Sequence, residues 1–167
     1  MGLKALVDAL FVNQFNPDTI RQVVLPAGAA VVPAANAAGS TYGAWVDVAL
    51  AATVTVPTLI VGVFAAPGSA VDVFTIDIGI CLVNGVNYAN AAAVIAAGAP
   101  TILAAHRQEV RVQWSQTGAA GGYVTTGWIP LYTPIFVPAL VGIIARCYGI
   151  TAAAVTMGVS VVCKQGF

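Results

Sequence analysis

Charge is what this sequence has least of. An ordinary soluble domain is about a quarter charged, whereas 7% of these 167 residues are charged and 59% are apolar. With six basic and six acidic residues the formal net charge is zero, so the surface lacks what keeps a free monomer soluble. We therefore expect a membrane protein, a subunit that assembles with other subunits, or a binding module whose apolar surfaces contact a partner.

Long apolar helices are also missing. A membrane-spanning helix needs about 20 mainly apolar residues in a row. The best candidate, residues 48–66, is uncharged but contains Pro57 and Gly62, which are both poor helix residues. The other uncharged stretches are divided by turn signals such as Asn84-Gly85, Pro130 and Pro134. We therefore expect no membrane partner.

Residues that could perform catalysis or bind metal are scarce. His106 is the only histidine, and Glu109 follows it at a spacing that does not match a zinc-binding helix. No motif for a nucleophilic serine, a dinucleotide or a phosphate loop is present. The basic residues are too dispersed for a nucleic-acid patch: Lys4, Arg21, Arg107, Arg111, Arg146 and Lys164. We expect no enzyme activity, no cofactor, no metal site and no nucleic-acid partner.

Cysteine is rare, and its number is odd. The three cysteines form no CxxC pair and have no nearby histidine. A disulfide scaffold is therefore disfavoured, and free buried cysteines that act as small hydrophobic residues are expected. Such cysteines are typical of folding in a reducing compartment.

Alternation with a period of two dominates what is present. Along residues 71–82, Phe74, Ile76 and Ile78 share one face of a predicted strand, while Thr75 and Asp77 share the other. The strands predicted in this way are residues 22–25, 30–32, 45–51, 58–65, 71–82, 107–114, 140–148 and 155–163. About eight short strands predict an all-β fold, a jelly-roll-like antiparallel β-sandwich.

Two predicted strands, residues 58–65 and 140–148, are apolar on both faces. This pattern is typical of strands covered by the core on one side, and we expect a neighbouring subunit on the other. Arg146 interrupts the second strand, and burying it alone would cost several kcal/mol. We therefore expect Arg146 to lie at an edge or interface and to pair with an aspartate.

Helix is expected in few places. Residues 2–12 carry apolar side chains at helical spacing, and Asn16-Pro17 ends that run. Residues 1–21 are therefore predicted to form a short helix or an arm that reaches a neighbour, ahead of a sandwich domain over residues 22–167. The Ala-rich residues 88–99 fit either a helical turn or an irregular connection.

Several turns and apolar positions carry a resemblance to a known class of proteins. They are Leu25-Pro26-Ala27-Gly28, Tyr42-Gly43-Ala44-Trp45-Val46, Ile76-Asp77-Ile78-Gly79, Trp128-Ile129-Pro130-Leu131, and Pro138 followed by Ile143-Ile144-Ala145-Arg146. In this order, over roughly residues 22–163, the chain resembles virion proteins of tailed bacteriophages of the decoration, or cement, type. It departs from the pattern at Pro138-Ala139-Leu140, where related sequences often have a glycine, and in residues 88–99.

The resemblance implies a protein, commonly a homotrimer, that binds the major capsid protein lattice on the outer surface of the virion after synthesis in the host cytoplasm. Expected assembly contacts are Leu10, Phe11, Phe15, Ile60, Phe64 and Arg146. One alternative is a carbohydrate- or receptor-binding module of a tail or fibre, for which Asn84, Asn87, Tyr88 and Asn90 are the candidate loop residues. A second alternative is a single jelly-roll shell protein.

Overall fold

Strands make up most of the part of the chain that the structure describes. The computed structural model describes residues 21–34, 41–66, 73–97, 107–113, 127–149 and 156–165. The strands are β1 (Arg21–Leu25), β2 (Val46–Ala49), β3 (Thr58–Ala66), β4 (Val73–Ile80), β5 (Leu82–Val83), β6 (Val86–Asn87), β7 (Arg107–Gln113), β8 (Gly127–Val137), β9 (Ile143–Gly149) and β10 (Gly158–Gln165). Within these ranges a short helix, α1, spans Ala91–Ala96, and a 3-10 turn spans Ala51–Thr53.

Two four-stranded antiparallel sheets face each other. Sheet one has the order β1-β10-β3-β8, sheet two has the order β2-β9-β4-β7, and β5 and β6 form a separate hairpin. The chain changes sheet at every connection between these eight strands except the one from β4 to β7. This order, in which the first strand pairs with the last, is that of two Greek keys wound into a jelly roll. The predicted jelly-roll-like sandwich is therefore confirmed.

The core lies between the two sheets and follows the alternation in the sequence. Ile76, Ile78 and Ile80 of β4 are fully buried, as are Ile60 and Val63 of β3 on the facing sheet. Burial of each such side chain contributes about 1.5–3 kcal/mol. The period-two pattern therefore correctly predicted the core face of β4. In β3, where both faces were predicted to be apolar, the bulge between Ile60 and Gly62 places both Ile60 and Val63 in the core.

The outer face of β9 is covered by the same chain. Arg146 and Tyr148 alternate with core residues on β9, and Tyr42 lies against both: its ring is 4.1 Å from the Arg146 guanidinium carbon and 4.7 Å from the Tyr148 ring. The Gly43 amide also donates to the Cys147 carbonyl at 3.0 Å. Here the segment 41–45, rather than the expected neighbouring subunit, covers the second apolar face.

Strand β8 differs from the sequence expectation, in which Pro130 and Pro134 are turn signals. Proline has no amide hydrogen to donate, so it is tolerated where a strand has a partner on one side only. Strand β8 is such an edge strand, since among the described strands it pairs only with β3 in sheet one. Its pairing with β3 is interrupted between Ile135 and Pro130, so the residues between them bulge out of the ladder.

The predicted strand at residues 30–32 is reduced to one isolated bridge, Val31 to Val159.

Local sequence explains the connection after β4. Asn84 and Gly85 both have positive φ, 52° and 78°, which suits the two-residue turn between β5 and β6. The Asn90 side chain accepts from the Ala93 amide at 2.8 Å and caps α1. Asp47 of β2 accepts from the Ala91 amide at 2.7 Å, so α1 is tied to sheet two. Residues 88–99, left open above, thus contain a helix of six residues.

The predicted N-terminal helix or arm lies outside the described residues.

Candidate functional site

Rows of paired residues cross sheet one on its outer side. Residues directly opposite one another in antiparallel strands point to the same face. One row joins Gln22, Lys164, Leu59 and Phe136, and others join Val24 to Val162 and Phe64 to Trp128. We call this surface the sheet-one face; its members are Gln22, Val24, Leu59, Val61, Gly62, Phe64, Trp128, Pro130, Phe136, Ser160, Val162 and Lys164.

The sheet-one face is apolar and open to solvent. Phe64 is 40% exposed, Trp128 53% and Phe136 51%. Lys164 is its one charged member. Soluble monomers rarely expose contiguous apolar patches larger than a few hundred Å². The sheet-one face is therefore an exposed surface rich in aromatic side chains.

Gly62 and Trp128 shape the centre of this face. A Cβ atom at Gly62 would overlap the indole ring of Trp128, so the ring lies against the backbone of β3. Beside it is a groove of about 370 Å³ with Val61 and Val162 among its lining residues. The polar side chains of Gln22 and Lys164 also line this groove. It combines an aromatic plane with hydrogen-bonding groups.

The outer side of sheet two contains an ion pair between β9 and β4. The Arg146 Nε donates to Asp77 Oδ2 at 2.9 Å, and the guanidinium carbon lies 4.3 Å from the Trp45 ring centre. The Asp77 side chain is fully buried, and that of Arg146 is 19% exposed. The prediction that Arg146 pairs with an aspartate is therefore confirmed, whereas its expected position at a sheet edge is wrong, because β9 lies between β2 and β4. Because rings of its own chain enclose the guanidinium, its suggested role as an assembly contact stays a prediction.

The three cysteines are free and buried, as expected from their number and spacing. Burial raises the pKa of Cys147 to about 11 and that of Cys163 to about 12. Burial, with a smaller effect from the Asp47 carboxylate, raises the pKa of Cys81 to about 12. All three therefore remain protonated thiols near neutral pH, and none has the lowered pKa of a reactive cysteine.

The described ranges contain neither a metal-binding cluster nor a membrane-spanning helix. Among these residues, no group of three or more His, Cys, Asp or Glu side chains is arranged to hold a metal ion. Within the same ranges, no helix is long and apolar enough to cross a membrane. His106 lies outside the described residues.

The expected contact residues fall into three environments. Ile60 lies in the core, so it cannot contact another molecule in this fold, whereas Phe64 is on the sheet-one face. Leu10, Phe11 and Phe15 lie outside the described residues. The sequence prediction missed Trp128 and Phe136, although their alternation with Ile129 and Val137 around the two prolines was a usable signal.

The four candidate ligand-binding loop residues have different structural roles. Asn84 makes the β5–β6 turn, Asn90 caps α1, and Tyr88 packs against the core. Asn87 is exposed on β6. None of them lines the groove beside Trp128.

Comparison of this chain with protein-family models, with curated proteins and with solved structures finds no match.

Proposed function

We propose that this protein is a structural virion protein of the decoration type. It binds the outer capsid surface as an oligomer, reinforces the shell and turns over no substrate. The observation that carries the proposal is the exposed apolar sheet-one face, on a chain with almost no charge to keep it apart from other molecules. The resemblance of its turn and apolar motifs to cement proteins supplies the kind of partner.

The size of the sheet-one face supports a docking role. Four strands spaced about 4.8 Å apart and about six residues long cover roughly 400 Å². At about 25 cal/mol per Å², burying this area yields about 10 kcal/mol before the costs of association are subtracted. One such contact is modest, but many copies on a closed shell add their contributions.

Binding should depend only weakly on salt. Lys164 is the one charged member of the sheet-one face, so this face offers few charge–charge interactions for salt to screen. An interface built on charge pairs would instead weaken steeply as ionic strength rises. This difference gives the proposal a measurable signature.

The experiment is to mix the purified full chain with heads assembled without it, and to measure occupancy and the temperature of genome release across a salt series. We expect occupancy at every salt concentration and a higher release temperature. Trp128→Ser should lower occupancy, whereas the control Val32→Ser, which changes an exposed residue outside the sheet-one face, should not. No occupancy, or occupancy with an unchanged release temperature, overturns the proposal. Closed particles formed by the protein alone would favour the shell-protein alternative.

The groove beside Trp128 favours a second candidate function, which is saccharide binding at a tail or fibre. A pyranose ring can stack its apolar face on an indole while amide and ammonium groups bind its hydroxyls. Trp128, Gln22 and Lys164 provide these groups. A glycan array tests this function: binding lost in Trp128→Ala and kept in Tyr132→Ala, which lies outside the groove, would support it.

A further inference from the structure

Strand β1 lies at one edge of sheet one. Among the described strands it pairs only with β10. In an antiparallel ladder, the amide and carbonyl groups of alternate residues in an edge strand point away from its single neighbour. Outside the ladder with β10, no backbone hydrogen bond joins β1 to another described residue. The outward backbone groups of β1 can therefore pair with a further strand.

The other edge strands of the two sheets carry features that hinder such pairing. Prolines, bulges and charged side chains are the usual protections of a sheet edge. Strand β8 contains Pro130 and Pro134 and is bulged, β2 has a register shift next to Asp47, and β7 has charged residues at three alternate positions. In contrast, β1 pairs with β10 in an unbroken register, and its only charged residue is the first, Arg21. Of the four described edges, β1 is therefore the one that can accept a strand over its whole length.

A groove of about 550 Å³ runs along this edge, and all five residues of β1 line it. Successive residues of a strand point to opposite faces, so a groove lined by both sets follows the edge of the strand and not one face. Thr53 and Thr55, from the connection between β2 and β3, line the same groove. The groove therefore offers a place beside β1 for one extended chain of about five residues, roughly 17 Å long.

The side chains along the groove indicate what this chain contains. Among the described residues that line the groove, Arg21 is the only charged one, and none is acidic. Arg21, Val23 and Leu25 share one face of β1, and on that face Val23 and Leu25 pack against the core. Residues directly opposite each other in paired strands share a face. A complementary strand therefore has an acidic residue opposite Arg21 and apolar residues opposite Val23 and Leu25.

We infer that the edge of β1 binds an extended segment of a partner protein, added antiparallel to β1, with the sequence pattern apolar-x-apolar-x-acidic. Backbone hydrogen bonds supply the affinity of such strand addition, and the alternate side chains supply its specificity. A second copy of β1 fits less well, because its sequence, RQVVL, has no acidic residue to place opposite Arg21. The contact in the proposed function is the sheet-one face and not this backbone edge, so the inference goes beyond that function and does not depend on it.

The test of charge uses the full chain and a labelled, capped peptide with this pattern, TVTVTET, whose dissociation constant is measured by fluorescence anisotropy. We expect saturable binding that is about fivefold weaker for the peptide TVTVTKT, as suits the loss of one exposed ion pair. Arg21→Glu should reverse this preference. The control Val32→Glu adds a carboxylate at an exposed position outside the groove and should keep the preference of the wild type.

The test of backbone pairing uses two forms of TVTVTET, each methylated on alternate amides. Strand addition turns one set of amides towards β1 and the other set away from it, so one form should lose binding and the other should keep it. Hydrogen exchange of the full chain should show that the outward amides of β1 become protected only when the unmodified peptide is bound.

Three results would overturn the inference. They are no binding of the unmodified peptide, equal binding of its two methylated forms, and protection of every β1 amide in the protein alone. The last result would show that this chain itself or a second copy already covers the edge. Absence of head occupancy by a protein that binds the peptide as expected would overturn only the proposed function.

Discussion

Arg146 and Asp77, 69 positions apart in the chain, form an ion pair on the outer side of sheet two, with 2.9 Å between Nε and Oδ2. They face each other in the register of β9 and β4. The Tyr42 and Trp45 rings lie against the guanidinium. This pair therefore fastens segment 41–45 to the sheet and explains how an apolar strand accommodates an arginine.

Breaking this pair from either side should be strongly destabilising. Asp77→Asn leaves a largely buried guanidinium without its counter-charge, and Arg146→Leu leaves a buried carboxylate, so we expect each to cost about 3–5 kcal/mol of unfolding free energy. Urea denaturation measures the effect. The double variant Asp77→Leu/Arg146→Met, which removes both charges, should lose less unfolding free energy than either single variant. An equal or larger loss of unfolding free energy in the double variant would contradict the proposed role of uncompensated charge.

Two buried threonines should respond oppositely to the same substitution. The Thr75 hydroxyl is buried and has no hydrogen-bond partner among the described residues. The Thr58 hydroxyl donates to the Val56 carbonyl at 2.9 Å and accepts from Gln165 Nε2 at 3.0 Å. We expect Thr75→Val to raise the unfolding free energy by about 1 kcal/mol and Thr58→Val to lower it by about 1–3 kcal/mol. Chemical denaturation of both variants checks the signs, and a loss of stability in Thr75→Val would refute the first.

Gly62→Ala should displace the indole of Trp128, because the added methyl group occupies the position of the ring. We expect a shift of the Trp128 indole resonance in NMR spectra, assigned with Trp128→Phe, and a cost of about 1–3 kcal/mol from overpacking. Gly28→Ala is the matched control, since a Cβ at that position meets nothing within 4 Å. An unchanged indole resonance in Gly62→Ala would be inconsistent with the close contact.

The buried thiols predict how stability depends on pH. Their folded pKa values, about 11 for Cys147 and about 12 for Cys81 and Cys163, lie above the 9.0 of a free thiol. The unfolded chain therefore loses these protons first, and stability falls as pH rises from about 9 towards 12. The slope is at most about 1.4 kcal/mol per pH unit for each thiol. Urea titrations over this range should show it, and Cys163→Ala should reduce it; an unchanged slope in that variant would contradict the assignment.

Neighbouring residues on β3 should have different consequences when they become charged. Ile60→Glu places a carboxylate in the core and should prevent folding, because an unpaired buried charge costs several kcal/mol. Leu59 lies on the outward-facing sheet-one face, so Leu59→Glu should give a folded protein that no longer binds heads. Circular dichroism and head occupancy separate the two results. Folded protein from Ile60→Glu would show that the register of β3 is wrong.

The alternation of residues was enough to place the core face of β4 and β10, because successive side chains of a strand point to opposite faces. In β3 the bulge between Ile60 and Gly62 shifts the alternation by one residue, and only strand pairing reveals it. The turn at Asn84-Gly85 was predictable for a similar local reason, since its positive φ values suit those residues. In contrast, β8 was missed because the meaning of Pro130 and Pro134 depends on whether the strand has one neighbour or two. Only strand order contains that information.

The sequence by itself determined that the protein is all-β, that its cysteines are buried and free, and that its surface is short of charge. These properties depend on composition and on neighbours along the chain. The tertiary structure alone decided that Asp77 is the partner of Arg146, that segment 41–45 covers β9, and that Trp128 shares a groove with Gln22 and Lys164. Such pairings join residues from distant strands, and the register that brings them together is selected by packing of the whole sandwich.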